Sequence, residues 1–498
     1  MKIQKSLLLS FSLIILLVFC SKNKWTSIEG LWITTEETSS HFLSGTQKVA
    51  LQINADGDKK LTARGVFLWN GDYQSNWNLV DVRYDTMAHK IIILDEDADT
   101  LICRFDPKNE SLIGAVHLQD KNRDTLNFIR ADNHLATKLF CPRTPGGNGE
   151  ITYRYRVPEQ LDDGLQTTSF KDEGIDSSAV IHLMKEIIAQ QFGRIESLLI
   201  LKDNKLIAEE YFYGYTRTSL HKIHSCTKSV TSLLLGIALD QYKENNVEQP
   251  LFDFFPPYDS LKTAEKEQIT LKNALTMTSG LEWHEYPEEM YETDDCFGYI
   301  LSRSMESTPG VKFHYSSGNS ILLGGVIQSL EGRSVLKFAN TSLFNPLGIT
   351  NYFWETNKDG TLQCGGGLSL YPRDMAKIGL LVLNDGKWQD KQVVPKAWIH
   401  ESTRPHVQES PYFDYGYQWW HHSKNNLQWW KEPNAPSEKE HDLVTALGTG
   451  GQFIMIIRDL NLVVVTTASD YDNDQRPLNR IPMAIEEIIP IFEAHCNF

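Results

Sequence analysis

The stretch Ser225-Cys-Thr-Lys-Ser-Val-Thr-Ser-Leu-Leu-Leu-Gly-Ile-Ala-Leu239 decides the fold of the chain. From Val230 onward it is apolar enough to form the interior of a buried helix. Ser225 would open that helix, and Lys228 follows three residues later, so both side chains lie on one helix face within hydrogen-bonding reach. Burial lowers the pKa of a lysine from about 10.4 towards neutrality, which lets Lys228 accept the proton of Ser225. The helix N-terminus also favours the negative charge that develops near the serine.

The spacing Ser-x-x-Lys is weak evidence by itself. It occurs again at three other places, Ser21/Lys24, Ser219/Lys222 and Ser334/Lys337. The first lies beside an N-terminal apolar run, the second precedes the helix, and the third lies in a polar segment. A serine hydroxyl needs a neighbouring base to become a nucleophile, and only the Ser225 pair is followed by a buried helix. Of the four Ser-x-x-Lys pairs, we therefore expect only Ser225/Lys228 to be catalytic.

Three further motifs follow the helix in order: Leu275-Thr-Met-Thr-Ser-Gly-Leu281, Phe313-His-Tyr-Ser-Ser-Gly-Asn319 and Gly366-Gly-Leu-Ser-Leu-Tyr-Pro-Arg-Asp374. Together with the Ser-x-x-Lys pair they resemble the class C β-lactamase-related serine hydrolases. That family includes class C β-lactamases, D-alanyl-D-alanine carboxypeptidases, family VIII-type esterases and 6-aminohexanoate-dimer hydrolases. The resemblance runs from about residue 160 to about residue 490. It is nearest to the esterase and 6-aminohexanoate-dimer hydrolase branch.

The resemblance implies an α/β (α+β) fold of the β-lactamase/penicillin-binding-protein transpeptidase type. In that fold an antiparallel sheet, built from the first and last strands of the domain, packs against a helical region. The family pattern implies that Ser225 is the nucleophile and that Lys228 and Tyr315 share its proton. Tyr315 stands at the tyrosine of the family's Tyr-x-Asn motif. No metal or organic cofactor is implied.

Two positions depart from the family pattern. Ser317 stands where the motif has asparagine, and a serine reaches less far towards a substrate carbonyl or the lysine. Gly448-Thr449-Gly450 stands where the family has Lys-Thr-Gly or His-Thr-Gly, a motif whose cation helps to hold a substrate carboxylate. We therefore expect neutral or differently charged substrates. An oxyanion hole is predicted from the Ser225 N–H and one N–H between Thr449 and Gly451, with a glycine-rich β-bulge as the alternative.

Other catalytic patterns are absent from the sequence. It contains neither Gly-x-Ser-x-Gly nor His-Glu-x-x-His nor a phosphate-binding glycine loop. His421-His422 and His441-Asp442 lack the spacing of a metal site, and we expect surface histidines there. Cys226 is expected to be a small buried residue that faces away from the site. Four aromatic residues near the motifs are expected in the core, with a pocket lining as the alternative: Trp283, Tyr417, Trp419 and Trp420.

The first twenty residues predict export. Lys2 and Lys5 precede an apolar or hydroxylic run of fourteen residues, which is shorter than the roughly 20 residues of a membrane-spanning helix. Residues 1–19 are therefore interpreted as an export signal. The sequence before Cys20 resembles a bacterial lipobox, in which Cys20 would carry a lipid that anchors the protein to the membrane, although Phe19 stands where a small residue is usual. A soluble secreted protein and an uncleaved anchor are the alternatives.

An N-terminal β-domain is predicted over residues 25–135. Short alternating or β-branched runs recur there between polar turns, which is typical of a small barrel or sandwich. Gly30-Leu31-Trp32 is similar to the opening of lipocalin-like barrels, but we expect Trp32 mainly to pack. A Pro/Gly-rich break places a linker at residues 136–155.

The serine hydrolase domain is predicted over residues 156–498. Its apolar periodicity predicts helices at about 178–191, 230–239 and 480–494. Two hairpins are predicted, one turning at Asp203-Asn204 and one turning at 459–461.

Composition narrows the choice of partner. The 498 residues carry a formal charge of −16 without a basic stripe, which argues against nucleic acid. The seven cysteines include no CxxC pair, so they form neither a zinc signature nor a dense disulfide scaffold. An exported protein could still hold one or two bridges.

The sequence predicts an exported serine hydrolase of the bacterial cell envelope that cleaves an ester or amide bond through an acyl-enzyme on Ser225. Its substrate would be a small or peptide-like molecule. A β-lactamase or D-alanyl-D-alanine carboxypeptidase acting on cell-wall substrates is the alternative within enzymes. A non-catalytic envelope binding or sensor lipoprotein is the alternative of another class, and it is disfavoured because a binder needs no Ser225, Lys228 and Tyr315 together.

Overall fold

The computed structural model describes residues 28, 30–35, 48–56, 60–69, 72–77, 79–85, 90–95, 100–106, 109, 111–117, 123–140, 142–143, 153–285, 287–410, 413–422, 441–471 and 483–493. The chain divides into two compact units, Met1–Thr144 and Pro145–Phe498. The division falls inside the linker that the sequence predicts at residues 136–155. The predicted export signal, Cys20 and residues 144–149 of the Pro/Gly-rich break lie outside the described residues.

The first unit contains a nine-stranded antiparallel sheet in the order β4-β3-β2-β1-β9-β8-β7-β6-β5. This is the strand order of an up-and-down barrel that is opened between β4 and β5. The strands are β1 (Gly30–Thr34), β2 (Lys48–Asp56), β3 (Lys60–Trp69), β4 (Asp72–Trp77), β5 (Leu79–Asp85), β6 (Lys90–Asp95), β7 (Thr100–Asp106), β8 (Ser111–His117) and β9 (Arg123–Arg130).

The two faces of this sheet bury different residues, as the two-residue period of a strand requires. Trp32 of β1 is fully buried, and its indole N–H donates to the Ile28 carbonyl at 2.9 Å. The neighbouring Leu31 packs in a separate cluster with Leu139 and Phe140 of a helix, α1 (Asn133–Phe140). Trp32 therefore packs as expected, and this unit continues past residue 135 because α1 covers its sheet.

The second unit contains another nine-stranded sheet, in the order β10-β12-β11-β23-β22-β21-β20-β19-β18. Its first strands meet its last ones at the pair β11–β23, as the family resemblance implies. The strands are β10 (Gln166–Thr167), β11 (Ile195–Lys202), β12 (Lys205–Tyr211), β18 (Val407–Gln408), β19 (Asp414–Tyr415), β20 (Trp420–His422), β21 (Leu443–Gly448), β22 (Gln452–Ile457) and β23 (Leu462–Ala468). Two small sheets consist of β13 (His221–Lys222), β14 (Phe353–Trp354) and β15 (Leu368–Leu370), and of β16 (Lys387–Trp388) and β17 (Lys391–Gln392).

Both predicted hairpins are confirmed. Asp203 and Asn204 join β11 to β12 with φ values of 50° and 66°. Two successive residues with positive φ form the two-residue turn whose twist matches that of the strands it joins. The second hairpin joins β22 to β23 through a 3-10 turn at Arg458–Leu460.

Helices cover both faces of the second sheet. Leu199 and Leu201 of β11 belong to the same hydrophobic cluster as three helices, α3 (Cys226–Gln241), α7 (Ser317–Glu331) and α9 (Pro372–Leu383). The alternate residues Leu198 and Ile200 belong to a second cluster with α2 (Ser177–Ile188) and the segment Met483–Glu493. The other α-helices among the described residues are α4 (Leu271–Leu275), α5 (Glu288–Glu292), α6 (Cys296–Ser302), α8 (Val335–Ala339), α10 (Lys396–Thr403) and α11 (Ile489–Glu493). Shorter 3-10 or π segments lie at Leu251–Phe254, Pro256–Leu261, Lys266–Gln268, Asn340–Phe344 and Met483–Ile488.

The C-terminal helix differs from its prediction. The sequence predicts one helix over residues 480–494, whereas the structure has a π-helical segment at Met483–Ile488 followed by α11. Among the described residues, no helix is both long and apolar enough to cross a membrane.

Candidate active site

Ser225 lies at the junction of a strand and the buried helix α3. It is the residue that caps α3, and it follows His224, whose φ is 45°. A positive φ at a non-glycine residue costs of the order of 1–3 kcal/mol, and such strain is concentrated at functional sites. The strained turn brings the chain from β13 into α3 and places Ser225 at the start of the helix.

The helix α3 is buried on all sides although it contains several hydroxyl residues. Ser229 Oγ donates to the Gln418 carbonyl at 2.6 Å, and Thr231 Oγ1 donates to the Cys364 carbonyl at 2.9 Å. These bonds satisfy hydroxyl groups that would otherwise be costly to bury. They also tie the helix to two distant segments, which fixes the position of Ser225 and Lys228.

Lys228 is only 1% exposed, and its ammonium group has three oxygen neighbours. Its Nζ lies 3.1 Å from Ser225 Oγ, 2.9 Å from Ser317 Oγ and 2.6 Å from the Gly365 carbonyl oxygen. Desolvation lowers the pKa of Lys228 to about 8, although the negative charge of Glu285 acts in the opposite direction. The lysine is therefore deprotonated much more easily than an exposed one.

Gly365 was not identified from the sequence, although it precedes the quoted motif at 366–374. A Cβ on Gly365 would lie 3.0 Å from the Cβ of Ser317, so a side chain would crowd the contact. The glycine therefore lets its own carbonyl and Ser317 approach the same lysine. A main-chain acceptor leaves no signal in the sequence except the small residue that it requires.

Tyr315 lies beside the lysine in a group of aromatic rings. Lys228 Nζ is 4.8 Å from the centroid of the Tyr315 ring. That ring stacks on Trp420 at 5.9 Å and meets the edge of Tyr415 at 6.4 Å. The structure thus brings Ser225, Lys228 and Tyr315 into one site, as the family pattern implies.

Glu285 is the charged residue that the sequence analysis missed. Its Oε2 accepts from Ser317 Oγ at 2.6 Å, and its Oε1 accepts from the Ser317 backbone N–H at 2.7 Å. The indole N–H of Trp283 also donates to Oε1, at 2.8 Å. Glu285 is separated from Ser317 by 32 positions and belongs to no motif, so only the folded chain reveals the contact.

The end of β21 approaches the segment that precedes Ser225. A Cβ on Gly448 would lie 2.3 Å from the Ile223 carbonyl oxygen, so a glycine is needed where β21 approaches the segment before Ser225. The pairing of β21 with β20 ends at Thr445–Trp420, before the strand reaches Gly448. Thr449 is exposed, and Gly450 follows with a φ of 82°.

These positions narrow the choice of oxyanion donors. The Gly451 N–H donates to the Gly448 carbonyl at 3.2 Å and closes a tight turn. Of the three predicted N–H groups, this leaves those of Thr449 and Gly450 as candidates, together with the Ser225 N–H at the start of α3. A donor of this kind is typically worth about 2.7–4 kcal/mol of transition-state stabilisation.

A cavity of about 450 Å³ opens next to Glu285. Its lining residues carry three carboxylates and one guanidinium, and they are Glu282, Trp283, His284, Glu285, Pro287, Glu289, Tyr299 and Arg303. A volume of this size is in the range of small-molecule sites. Glu285 and Trp283 line it, whereas Ser225, Lys228 and Ser317 do not.

The other Ser-x-x-Lys pairs do not form comparable sites. Lys222 is exposed and pairs with Glu355 at 2.7 Å. Ser334 caps the five-residue helix α8 at the surface of the unit. Ser21 and Lys24 lie outside the described residues.

The expectation of surface histidines is wrong for two of the three described positions. His422 is fully buried against Phe413, and desolvation lowers its pKa to about 3. His441 is 2% exposed and lies between Asp459, at 2.5 Å, and Glu493, at 2.8 Å. His422 lies on β20, which pairs with a strand on each side, and His441 is enclosed by Asp459 of a turn and Glu493 of α11. The local sequence reveals neither position. No group of three potential metal ligands is found within the described part of the chain.

The aromatic residues divide between core and site. Trp283, Tyr417 and Trp419 are at most 3% exposed and pack in the core, whereas Trp420 is partly exposed and supports Tyr315. Cys226 is fully buried, as expected, and its thiol donates to the Gln452 carbonyl at 3.3 Å. The described cysteines are free thiols: Cys103, Cys226, Cys296 and Cys364.

Comparison with protein families gives one family model. The model described as Beta-lactamase matches residues 188–485, which include every residue of the site described above.

Two curated relatives match parts of the same region. The chain is 22% identical over 308 residues to the 6-aminohexanoate-dimer hydrolase of Paenarthrobacter ureafaciens, covering 56% of this chain and 74% of that protein. It is 27% identical over 182 residues to protein flp of Staphylococcus aureus (strain MRSA252), covering 33% of this chain and 35% of that protein. The chain therefore matches only about a third of the length of protein flp.

Solved structures show the same fold. The "Putative 6-aminohexanoate-dimer hydrolase from Bacillus anthracis" superposes with a TM-score of 0.52 at 19% identity, over 68% of this chain and 88% of that one. A "putative beta-lactamase" from Bacteroides dorei DSM 17855 superposes with a TM-score of 0.53 at 16% identity, over 64% of this chain and 99% of that one. At these identities the likeness is one of fold.

Proposed function

Since the chain belongs to the beta-lactamase family of serine hydrolases, we propose that it cleaves an ester or amide bond through an acyl-enzyme on Ser225. The observation that carries this proposal is the 3.1 Å contact between Lys228 Nζ and Ser225 Oγ. The lysine is buried, and its pKa is lowered from 10.5 to about 8. At pH 7 about a tenth of such lysines are neutral, roughly 300 times more than at an unshifted pKa.

Acylation begins with proton transfer from Ser225 to the neutral Lys228. The serine oxygen attacks the substrate carbonyl, and the negative charge that develops on the carbonyl oxygen is bound by backbone N–H groups. The Ser225 N–H and the N–H of Thr449 or Gly450 are the proposed donors. Their fixed dipoles stabilise the tetrahedral intermediate more than the substrate, which lowers the barrier.

The proton then passes to the leaving group. Tyr315 lies against Lys228, so we assign it the transfer of this proton to the alcohol or amine as the carbonyl re-forms. Water next attacks the ester bond to Ser225, with Lys228 and Tyr315 accepting its proton. The bond between the acyl carbon and Ser225 Oγ then breaks, the serine oxygen takes back the proton held by Lys228 and Tyr315, and the acid is released.

The substrate proposed for this site has no carboxylate at the position of Gly448. The family's cation is replaced by glycine there, and β21 ends against the Ile223 carbonyl rather than against a positive charge. The cavity beside Glu285 is lined by three carboxylates and one guanidinium. Esters and linear amides that are neutral or positively charged suit this arrangement better than anionic β-lactams.

The proposal is tested by hydrolysis of a short-chain p-nitrophenyl ester, with the 6-aminohexanoate dimer and a chromogenic cephalosporin assayed beside it. We expect ester turnover that falls roughly a thousandfold or more in Ser225→Ala, while the circular dichroism spectrum is unchanged. Preferential turnover of the cephalosporin would favour the β-lactamase alternative. Equal rates in both proteins would contradict Ser225 as the nucleophile.

We also propose that the protein is exported and anchored by a lipid on Cys20. The support is the sequence pattern alone, in which two lysines, a short apolar run and Cys20 follow one another. Metabolic labelling with an alkyne fatty acid in a bacterial host should mark the wild-type protein and not Cys20→Ser. Equal labelling of both, or a protein retained in the cytoplasm, would contradict this proposal.

A further inference from the structure

Glu285 lies outside the family motifs, but its carboxylate is joined to Lys228 through a single side chain, that of Ser317. We propose that Glu285 is a positioning residue, which fixes the direction of the hydrogen bonds around Lys228 so that the lone pair of the neutral lysine faces Ser225. The inference rests on the proposed function, because it concerns how Ser225 is activated.

The Ser317 hydroxyl group carries a single hydrogen and has two polar neighbours. Ser317 Oγ lies 2.6 Å from Glu285 Oε2 and 2.9 Å from Lys228 Nζ. An ionised carboxylate has no hydrogen to donate, so the hydroxyl hydrogen must point at Glu285. Ser317 Oγ can therefore only accept a hydrogen bond from Lys228.

Neutral Lys228 has fewer N–H bonds than oxygen neighbours. The Gly365 carbonyl oxygen, 2.6 Å from Nζ, also can only accept. A neutral lysine has two N–H bonds and one lone pair. When the two N–H bonds are directed at Ser317 and Gly365, the lone pair is directed at the third neighbour, Ser225 Oγ at 3.1 Å. This is the arrangement that general-base catalysis requires.

Hydrogen bonds to both of its oxygens fix the orientation of the Glu285 carboxylate. Its two oxygens receive three hydrogen bonds, from the Ser317 hydroxyl, the Ser317 backbone N–H and the Trp283 indole. Trp283 is 3% exposed, and its ring packs against Gly318, where an added Cβ would lie 2.7 Å away. A glutamine at position 285 would have one acceptor oxygen and one NH2 group. If the oxygen keeps the two N–H donors, the NH2 group donates to Ser317 Oγ and turns the hydroxyl hydrogen towards Lys228.

Glu285 also acts on Lys228 through its charge. The carboxylate raises the pKa of Lys228 and so opposes the larger effect of desolvation, and Cys226 has a smaller effect in the same direction. Two further ionisable groups lie near Lys228: Tyr315, whose ring faces the ammonium group, and His224, whose pKa is lowered by desolvation and by the charges of Lys222 and Lys228. Replacement of Glu285 should therefore have two separable effects, one on the direction of a proton and one on the pH at which Lys228 loses its proton.

The test measures the rate at which a fluorophosphonate labels Ser225, as a function of pH, so that it needs no knowledge of the substrate. Wild type, Glu285→Gln, Ser317→Ala and the double variant are compared, with Ser225→Ala as the blank. In Glu285→Gln we expect the inflection to move to lower pH by about one pH unit, because a negative charge near the lysine is lost. We also expect the plateau rate to fall at least about tenfold, because the misdirected hydroxyl competes for the lone pair.

The Ser317→Ala background separates the two effects. Without the hydroxyl no hydrogen can be misdirected, so Glu285→Gln should there change the plateau by less than about twofold while still moving the inflection. A plateau that falls equally in both backgrounds, or an inflection that does not move, would show that Glu285 is merely structural and would overturn the inference. Labelling that is absent in wild type would overturn the proposed function instead, and labelling identical in all four proteins would overturn the inference alone.

Discussion

The burial of Lys228 should make the free energy of unfolding of the second unit depend on pH, and the substitution Lys228→Met should remove this dependence. Lys228→Met keeps a long unbranched side chain and removes the charge. The pKa of Lys228 is about 8 in the folded protein and 10.5 for the unperturbed side chain, and desolvation is the main cause of the difference. The folded protein therefore binds this proton less tightly than the unfolded chain does.

The sign of the effect follows from this difference in proton binding. Between pH 8 and 10.5 the unfolded lysine is protonated and the folded one is neutral, so wild-type stability rises with pH in that interval. Below pH 8 the folded lysine is charged and its burial cost is fully present. The cost is about 3 kcal/mol at about pH 7 and about 1 kcal/mol at about pH 9.5. The free energy of unfolding of wild type, relative to that of Lys228→Met, should thus rise by about 2 kcal/mol between about pH 7 and about pH 9.5.

Urea denaturation gives the free energy of unfolding of both proteins at about pH 7 and about pH 9.5. The difference between the two proteins is then compared at the two pH values. The methionine makes none of the hydrogen bonds of Lys228 at either pH, so their contribution to the free energy of unfolding cancels in this comparison. Lys222→Met, which removes an exposed lysine of a second Ser-x-x-Lys pair, is the matched control for the loss of one charge. If Lys228→Met and Lys222→Met change the free energy of unfolding equally at both pH values, the claim that burial lowers the pKa of Lys228 is refuted.

Three further substitutions test the geometry of the site. Gly365→Ala should lower kcat/KM at least about tenfold, because its Cβ would crowd Ser317. The control is Gly366→Ala, whose Cβ would lie 3.9 Å from the His224 backbone and which should keep most of the activity. Similar losses in both variants would contradict the role of Gly365. Trp420→Ala should lower kcat about tenfold because Tyr315 loses the ring on which it stacks, and an unchanged kcat would contradict that support. Cys226→Ala should reduce the free energy of unfolding by about 1–2 kcal/mol and leave kcat unchanged, because its thiol faces the Gln452 carbonyl; a large loss of activity at normal stability would contradict this orientation.

Local sequence patterns were sufficient for those parts of the fold that local forces determine. The apolar run after Ser225 is the buried helix α3, and Asp203-Asn204 forms the predicted turn because both residues tolerate a positive φ. The pairing of Ser225 with Lys228 was also predictable, since residues three apart on a helix lie on one face.

Features that depend on contacts between distant segments were not predictable. Glu285 reaches Ser317 across 32 positions, and the Gly365 carbonyl reaches Lys228 across 137. No periodicity encodes either contact. A surface position was expected for His441 because His441-Asp442 lacks the spacing of a metal site, although Asp459 and Glu493 enclose it in the folded unit.

The boundary between the units illustrates the same limit. The Pro/Gly-rich break marked the region of the linker, but α1 before it has an apolar face that packs on the first sheet through Leu139 and Phe140. A short helix of this kind has no strong local signal, and its place is decided by the sheet that it covers.

The central claim, that Ser225 is the nucleophile of an acyl-enzyme, is tested most directly by mass spectrometry of the intact protein mixed with p-nitrophenyl acetate and quenched in acid. We predict the addition of one acetyl group, located on Ser225 by peptide mapping, which is absent in Ser225→Ala and decays when the ester is exhausted. An acetyl group on another residue, or the same addition in Ser225→Ala, would contradict the account.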